Sequence, residues 1–293
     1  MRKLLSAAVA LGIGVGCVIP SSPSSGQAAV EVVKVDAGRF QPVPGKPVFV
    51  LVMGHDARPG ETQSRGDALH VIGINPEAGR ATILNIPRDT WTGIPGRGID
   101  KINAAYYYGG PELQARAVGA LVGIDIQIVL TTGFEGLAAM VDEMGGIDVD
   151  VPVPMNDPKS GAIFPAGTVR MDGGAALAFT RNRSLTGGDF TRTQNQGILI
   201  LAGLAKLRDS APSAANALKW MAVLARHTRY DGIGLGDLYR LGRVALTIDP
   251  ADVRNVTMPG TAGSAANQSV VFVGGSAPGL FADFRDDAIL QRS

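Results

Sequence analysis

The feature that most constrains the fold is an uninterrupted apolar run that stops at a glycine and gives way to charged residues. Residues 47–53 read Pro-Val-Phe-Val-Leu-Val-Met and are followed by Gly54. Such a run is typical of a strand that is buried on both faces. Two further strands are predicted over residues 68–75 and 80–86, and Pro87 ends the second of them. The sequence therefore predicts a core of buried strands.

The rest of the chain alternates between predicted strands and predicted helices. Further strands are predicted over residues 30–35, 127–132, 147–153, 253–258 and 269–274. Helices are predicted over residues 102–108, 112–122, 134–143, 173–180, 194–207, 214–227 and 235–246, and residues 155–167 are predicted to form a loop. The chain shows no internal repeat, and after the Ser-rich stretch near its N-terminus it shows no further linker. This alternation predicts one α/β domain of about 250 residues.

The N-terminus is typical of an exported protein. A basic start, Met1-Arg2-Lys3, precedes an uncharged apolar run over residues 4–19. A helix of that length spans about 24 Å, short of a hydrocarbon core of about 30 Å, and suits a signal peptide better than a membrane span. A tilted anchor and a lipoprotein modified at Cys17 are the alternatives. We assign residues 1–27 to a signal peptide or membrane anchor plus a Ser-rich linker, and residues 28–293 to the single folded domain.

Composition excludes several classes of function. Cys17 is the only cysteine, so the predicted domain has no disulfide and no cysteine-ligated metal site. The three histidines, His55, His70 and His227, lack the helical spacing of a zinc site. A net charge of +1 provides no overall field that would favour nucleic acid. No Gly-rich phosphate loop, nucleophile elbow or dinucleotide fingerprint is present.

Arginine and aspartate recur together where predicted strands end. These charged islands lie within residues 54–67, 86–89 and 180–192. Arginine offers a planar fork that binds phosphate oxygens in pairs, and aspartate offers hard oxygen ligands to Mg²⁺. The islands therefore predict a site for a phosphorylated ligand and a divalent cation. The alternative interpretation is that they form ordinary surface ion pairs.

The islands and the segments between them resemble the LytR-CpsA-Psr family in chain order. The similarity extends from about residue 48 to about residue 207. Its most specific parts are Ile86-Pro87-Arg88-Asp89-Thr90 and Asp100-Lys101-Ile102-Asn103-Ala104-Ala105-Tyr106. Other matching segments are residues 54–58, 65–67, 109–112, 134–136, 142–152, 181–183 and 188–192.

The resemblance implies an extracytoplasmic bacterial enzyme, associated with the cell membrane or secreted to the cell wall. Members of the family transfer a glycopolymer from a polyprenyl-diphosphate carrier to peptidoglycan with the help of Mg²⁺ (or Mn²⁺). The implied fold is a three-layer α/β/α sandwich around a central mixed sheet, with an apolar pocket for the lipid chain. The implied partners are the lipid-linked glycopolymer, peptidoglycan and the membrane surface.

The resemblance also assigns roles to residues. It implies that Asp56 and Asp67 hold the metal. It implies catalytic roles for Arg88, Asp89 and Asp189, in which the aspartates orient the arginines or accept the proton of the acceptor. The residues that it places around the diphosphate are Arg65, Lys101, Arg181, Arg183, Arg192 and Gln196. The chain departs from the family pattern at Thr191, Asn195 and Gly197.

Three functional hypotheses follow. The first is the Mg²⁺-assisted phosphotransferase, in which water can replace the acceptor and produce a polyprenyl-diphosphatase side activity. The second is a non-catalytic envelope protein that binds polyprenyl phosphates or has a regulatory role. It would need the arginines but not a pair of metal-binding aspartates. The third is a soluble hydrolase of inositol or nucleotide phosphates, against which a bound lipid chain would argue.

Overall fold

A seven-stranded mixed sheet forms the centre of the molecule. The computed structural model describes residues 30–35, 43, 45–55, 65–210, 228–231, 235–245 and 248–291. The sheet has the order β12-β1-β7-β2-β3-β4-β13. Its strands are β1 (Val30–Lys34), β2 (Val48–His55), β3 (Gly66–Asn75), β4 (Arg80–Ile86), β7 (Ile128–Gly133), β12 (Thr228–Asp231) and β13 (Val253–Thr257). The pairs β1–β7, β2–β3 and β3–β4 are antiparallel, and β1–β12, β2–β7 and β4–β13 are parallel.

Four two-stranded units lie outside the central sheet. They are β5 (Trp91–Ile94) with β6 (Gly98–Lys101), β8 (Ile147–Val151) with β11 (Gly167–Met171), β9 (Met155–Asp157) with β10 (Ala162–Phe164), and β14 (Gly260–Ala265) with β15 (Gln268–Val273). All four pairs are antiparallel.

The described helices cover both faces of the sheet. They are α1 (Ala104–Val122), α2 (Phe134–Glu143), α3 (Gly173–Arg181), α4 (Asp189–Ser210), α5 (Leu235–Ala245) and α6 (Ala277–Asp287), with a 3₁₀ turn over Pro250–Asp252. Among the helices of these ranges, none combines the length and the hydrophobicity that crossing a bilayer requires.

Successive side chains of a strand point to opposite faces of the sheet, and this alternation produces the layers of the sandwich. On β2, Leu51 and Met53 pack into the cluster that contains residues of α1 and α6. The neighbouring Val48 and Val50 point to the other face of the sheet. There they belong to a second apolar cluster, against which the partly buried Leu204 of α4 packs. The predicted α/β/α sandwich around a central mixed sheet is therefore confirmed. The apolar lipid pocket stays a prediction.

Helix α6 approaches β3 closely because Gly73 has no side chain. A methyl group at Gly73 would lie 2.7 Å from the ring of Phe284 and 2.9 Å from Cβ of Ala288. The Phe284 ring in turn packs against Phe49, with 5.3 Å between ring centroids. This contact fixes α6 on the face of the sheet that also carries α1.

Several predicted boundaries were wrong. The two helices predicted over residues 102–108 and 112–122 correspond to the two segments of α1, which starts at Ala104 and is interrupted by non-helical backbone at Gly109 and Gly110. The loop predicted over residues 155–167 contains the β9–β10 hairpin. Helix α4 begins at Asp189, five residues before its predicted start. The helix predicted over residues 214–227 and the segment 1–27 lie outside the described residues.

Replacing Phe284 with alanine should destabilise the protein by about 3–5 kcal/mol, because it removes a fully buried aromatic ring and leaves a cavity between α6 and β3. Urea unfolding measures the change in the free energy of unfolding. The control is Phe272→Ala, since Phe272 is 40% exposed and its loss should cost less than about 1 kcal/mol. Equal losses in the two variants would contradict the packing described above.

Candidate active site

The ends of β3 and β4 bring the first two charged islands together. These strands are antiparallel, and Leu69 pairs with Ile86. In the pairing of β2 with β3, His55 is opposite Gly66 and Gly54 is opposite Ala68, so Asp67 is an additional, bulged residue. A bulge redirects its side chain. Here Oδ1 of Asp67 accepts a hydrogen bond from Nη1 of Arg88.

The turn that carries Arg88 and Asp89 is held by backbone hydrogen bonds. The amide of Thr90 donates to the carbonyl of Pro87 (3.0 Å), and the Thr90 hydroxyl donates to the same oxygen (2.6 Å). The amide of Asn103 donates to the carbonyl of Arg88 (3.2 Å), and that of Val271 donates to the carbonyl of Asp89 (2.9 Å). The side chains of Arg88 and Asp89 therefore project from a backbone that hydrogen bonds hold in place on several sides.

Asp89 lies between two cations. Its Oδ2 is 3.9 Å from Nε of Arg88, and its Oδ1 is 3.1 Å from Nζ of Lys101. Lys101 is the last residue of β6, where it pairs with Trp91 of β5. The β5–β6 hairpin therefore brings Lys101 into the site, as the sequence predicts.

The third island enters through the first turn of α4. Gly188 has a φ of +53°, a conformation that favours glycine, and Asp189 begins the helix immediately after it. Nη2 of Arg192, one turn later, is 2.7 Å from Oδ1 of Asp189. A carboxylate at a helix N-terminus is also stabilised by the helix dipole. This pair presents one cation and one anion to the site.

Electrostatic coupling joins these residues into one group. Burial alone would lower the pKa of Arg88, but the charges of Asp67 and Asp89 outweigh burial and raise it. Burial lowers the pKa of Arg192, and the positive charges of Arg88 and Arg183 lower it further against the opposing effect of Asp189. Arginine remains charged under such shifts. We call Arg88, Arg183 and Arg192, with Lys101 and the aspartates Asp67, Asp89 and Asp189, the arginine cluster.

Two predicted diphosphate ligands, Arg65 and Arg181, are exposed to solvent. The Arg181 guanidinium lies 4.5 Å from the centroid of the Phe134 ring, a cation–π contact. Arg65 lies near enough to Tyr108 to affect the pKa of that side chain. The Tyr108 hydroxyl donates to Asp100, which raises the Tyr108 pKa, while the charge of Arg65 acts in the opposite direction.

Gln196 is buried inside the protein. Its Nε2 donates to the carbonyl of Thr180 at 3.4 Å. Thr180 lies in the last turn of α3, just before Arg181 and Arg183. Gln196 therefore links α4 to the helix end that delivers these two arginines.

A buried polar layer that the sequence analysis did not assign lies under the cluster. His70 and Asn85 are opposite each other on β3 and β4, and Nδ1 of His70 is 2.6 Å from Oδ1 of Asn85. Asn85 donates to Asn255 of β13 at 2.7 Å, and Asn255 donates to the carbonyl of Gln194 at 3.1 Å. The available signal was a histidine within the apolar segment Leu69-His70-Val71.

The predicted metal pair is described only in part. Asp67 belongs to the arginine cluster, and Asp56 lies outside the described residues. Within the described ranges, no three or more His, Cys, Asp or Glu side chains form a group that could hold a metal ion. Arg88 binds one oxygen of the Asp67 carboxylate. Mg²⁺ often takes one or two carboxylates and completes its shell with phosphate oxygens and water, and the Asp67 carboxylate beside the arginine cluster fits that requirement.

Comparison with known proteins identifies the family. A sequence model of the LytR_cpsA_psr family matches residues 22–278. The chain belongs to the LytR_cpsA_psr family. The resemblance seen in the sequence is thus confirmed, and the match includes every residue of the arginine cluster.

Relatives in the LytR_cpsA_psr family include named cell-wall proteins. The chain is 32% identical over 213 residues to the probable cell wall biosynthesis protein LcpB of Corynebacterium glutamicum, covering 68% of this chain and 51% of LcpB. It is 37% identical over 163 residues to the polyisoprenyl-teichoic acid–peptidoglycan teichoic acid transferase TagU of Bacillus mycoides, covering 55% of this chain and 53% of TagU. The chain spans about half the length of the curated relatives it matches.

A solved structure supports the fold. The Bacillus subtilis LytR-CPS2A-psr family protein YwtF (TagT), determined with bound octaprenyl pyrophosphate lipid, superimposes with a TM-score of 0.65 at 21% identity. The match covers 92% of this chain and 99% of that one. At this identity the likeness establishes a shared fold.

The buried His70 should make the stability of the protein decrease in acid. Burial lowers its pKa from 6.5 to about 4, so the unfolded chain binds a proton between these values that the folded chain does not bind. Stability is therefore lost as the pH falls from 6.5 to 4. Because each pKa unit corresponds to about 1.4 kcal/mol, the loss reaches about 3 kcal/mol at pH 4.

Urea unfolding of the wild type and of His70→Asn between pH 7.5 and pH 4 measures this contribution. The difference in the free energy of unfolding between the two proteins should shrink as the pH falls, because the variant lacks the titrating group. A difference that is independent of pH would show that the imidazole does not keep a lowered pKa.

Proposed function

We propose that the protein is an extracytoplasmic phosphotransferase that moves a glycopolymer from a polyprenyl-diphosphate carrier to peptidoglycan. The observation that carries the proposal is the arginine cluster, where the buried Arg192, the half-buried Arg88 and Lys101 and the exposed Arg183 lie at one edge of the sheet. The name of TagU states a transfer of teichoic acid to peptidoglycan, and the name of LcpB states a role in cell-wall biosynthesis. The YwtF (TagT) structure contains a polyprenyl diphosphate on the same fold.

The cluster is suited to a diphosphate because of its charges and its partial burial. The Arg88 side chain is 23% exposed and that of Arg192 is 4% exposed, so the first can contact a ligand while the second strengthens the local positive field. Hydrogen bonds between guanidinium groups and phosphate oxygens are charge-assisted and bidentate. They are stronger where little water competes. Arg183 and Lys101 supply further cations, and the exposed Arg65 and Arg181 would contact the outer part of the ligand.

The aspartates orient these cations. Asp67 binds Arg88, Asp89 lies between Arg88 and Lys101, and Asp189 binds Arg192. Cations that are already oriented need little rearrangement when negative charge develops on the phosphoryl oxygens. This preorganisation is the main source of rate that a phosphoryl-transfer site can offer.

In the transfer step, a sugar hydroxyl of peptidoglycan attacks the phosphorus next to the glycopolymer. The bond from that phosphorus to the bridging oxygen breaks, a phosphodiester forms, and polyprenyl monophosphate leaves with the bridging oxygen and its electron pair. In this proposal Asp89 or Asp189 accepts the hydroxyl proton, and both carboxylates lie beside the arginines of the cluster. With water as the attacking group, the same step is a polyprenyl-diphosphatase reaction.

Asp67, together with Asp56, would hold Mg²⁺ (or Mn²⁺) at this site. When bound, the cation would neutralise charge on the diphosphate oxygens. Arg88 would share the Asp67 carboxylate with the cation and keep it in place.

The setting of the reaction follows from the substrate. A polyprenyl carrier lies in the membrane, so the site must reach the membrane surface, and the signal or anchor predicted over residues 1–27 would bring it there. The lipid chain would enter the predicted apolar pocket of the sandwich. Both statements belong to the proposal.

A non-catalytic lipid-binding or regulatory protein is the second candidate function. It is favoured by one observation, the engagement of Asp67 by Arg88, which such a protein would use to hold its anion-binding side chain. In that case the cluster binds the diphosphate and no bond is broken.

Replacing Arg88 with alanine should lower the release of polyprenyl monophosphate from a polyprenyl-diphosphate sugar by at least about 10²-fold, because a positioned cation is lost and Asp67 loses its arginine partner. Mass spectrometry of the released lipid measures the rate. Arg116→Ala is the matched control, since Arg116 is an exposed arginine of α1 paired with Glu112. Normal release by Arg88→Ala would refute the assignment.

Removing the divalent cation separates the two candidate functions. A chelator, or the substitution Asp67→Asn, should abolish release of polyprenyl monophosphate in the enzyme while lipid binding is largely retained. Lipid binding is measured by co-sedimentation with vesicles that contain the polyprenyl diphosphate. Lipid binding without release by the wild type, whether or not peptidoglycan is supplied, would favour the non-catalytic function.

A further inference from the structure

A groove of about 370 Å³ lies along helix α4, close to the first turn that carries Asp189 and Arg192. The helix lines this groove with four side chains at helical spacing, namely Thr191, Gln194, Asn195 and Ile198. Arg192 follows Thr191 directly, so its side chain leaves the helix about 100° further around the axis. The groove, which we call the α4 groove, therefore adjoins the arginine cluster.

The loop between α3 and α4 forms one wall of the groove, and hydrogen bonds hold it in place. Leu185 and Thr186 of this loop line the groove. The Thr191 hydroxyl donates to the carbonyl of Thr186 (2.6 Å), and the amide of Gly188 donates to the carbonyl of Leu185 (3.0 Å). Gly187 has a φ of +95°, and a methyl group there would lie 2.5 Å from Oγ1 of Thr191. The wall is therefore a fixed part of the fold.

The lining of the groove is uncharged, and it combines apolar and polar groups. Val153, which follows β8 and is 47% exposed, provides apolar surface together with Leu185 and Ile198. Among the described residues that line the groove, none carries a charge. Its volume lies at the small end of the range of about 300–1,000 Å³ that ligand pockets occupy. Such a lining suits an uncharged polyhydroxylated ring, which presents C–H faces to apolar side chains and hydroxyl groups to polar ones.

Asn195 contributes a buried amide to the lining of the groove. The residue is 2% exposed, and its Nδ2 has no hydrogen-bond partner within the described part of the chain. A buried amide without a partner destabilises a protein, so its presence here favours a role in binding a ligand. Rotation about the Cβ–Cγ bond, which is soft in asparagine, would direct the amide to a ligand oxygen. Thr191 and Asn195 are also two of the positions at which the chain departs from the family pattern.

We propose that the α4 groove binds an uncharged sugar unit of the glycopolymer, next to the diphosphate, and that the amide of Asn195 bonds to a hydroxyl group of this sugar. The proposal rests on the proposed function, since it takes the arginine cluster to hold the diphosphate. A sugar that is bonded to the diphosphate must lie beside the cluster, and the groove adjoins the cluster. The proposal adds a binding site for the transferred group and a residue that contributes to the choice of polymer.

Two soluble probes isolate the contribution of the sugar. Both are geranyl methylenediphosphonates, which cannot be hydrolysed, and their terminal phosphonate carries either glucose or a methyl group. The two probes have the same charge, so the arginine cluster should hold them equally. Calorimetry with the full chain measures both affinities. We expect the glucosyl probe to bind at least about 10-fold more tightly, because it alone fills the groove.

Two substitutions in the groove should reduce this preference for glucose. Val153→Trp would fill the groove from an exposed position and should abolish the preference. Asn195→Ala removes one hydrogen bond and should lower the ratio of the two affinities about 3- to 10-fold. The melting temperature of Asn195→Ala should not fall, because the amide nitrogen has no partner in the described fold. The matched control is Ile163→Trp, since Ile163 is 63% exposed on β10 and does not line the groove.

The outcomes distinguish the sugar site from the proposed function. Equal affinities of the wild type for the two probes, an unchanged ratio in Val153→Trp, or an equal loss in Ile163→Trp would overturn the sugar site and leave the diphosphate site intact. A lower melting temperature with an unchanged ratio in Asn195→Ala would overturn the role of Asn195. If the wild type prefers the glucosyl probe but cleaves no lipid diphosphate, the transferase function fails and the sugar site stands. If neither probe binds, both proposals are refuted.

Discussion

The structure depends on holding several positive charges close together at one edge of a sheet. Removing a guanidinium from water is costly unless a carboxylate is near, and a group of like charges repels itself. Here Arg88 and Arg192 are each bonded to an aspartate, and Asp89 lies between Arg88 and Lys101. The aspartates offset this cost in free energy and hold the cations of the cluster in fixed orientations.

The α/β/α sandwich provides the rigidity that this arrangement requires. Asp67 is placed by a bulge in β3, Arg88 by a bonded turn after β4, and Arg192 by the first turn of α4. These three segments are far apart in the sequence, and each is attached to a buried core element. Under them, the His70–Asn85–Asn255 chain ties β3, β4, β13 and α4 together with directional hydrogen bonds. Hydrophobic contacts alone would permit small sliding motions, whereas hydrogen bonds that join the buried His70 and Asn85 to the half-buried Asn255 penalise them.

Much of the fold could be predicted from periodicity. The continuous apolar run of β2 indicated a strand covered on both faces, and alternation in residues 147–151 indicated the half-exposed β8. Predictions failed where local signals conflicted. Pro, Gly and Asp in residues 155–167 indicated a loop, yet short-range pairing forms a hairpin there. By contrast, Gly109, Gly110 and Pro111 correctly indicated a break, since the backbone of α1 is non-helical at Gly109 and Gly110.

The sequence by itself determined the chemistry of the candidate site. Arginine and aspartate recur where predicted strands end, and their order along the chain matches the family pattern. Both residue type and residue order are properties of the sequence itself. Only the tertiary structure decided which charges meet. It paired Asp67 with Arg88, placed Arg181 against Phe134, and buried Gln196 between helices. It also joined His70 to Asn85 and Asn85 to Asn255, since hydrogen bonds between residues 15 and 170 positions apart depend on strand register and helix packing, which no local pattern encodes.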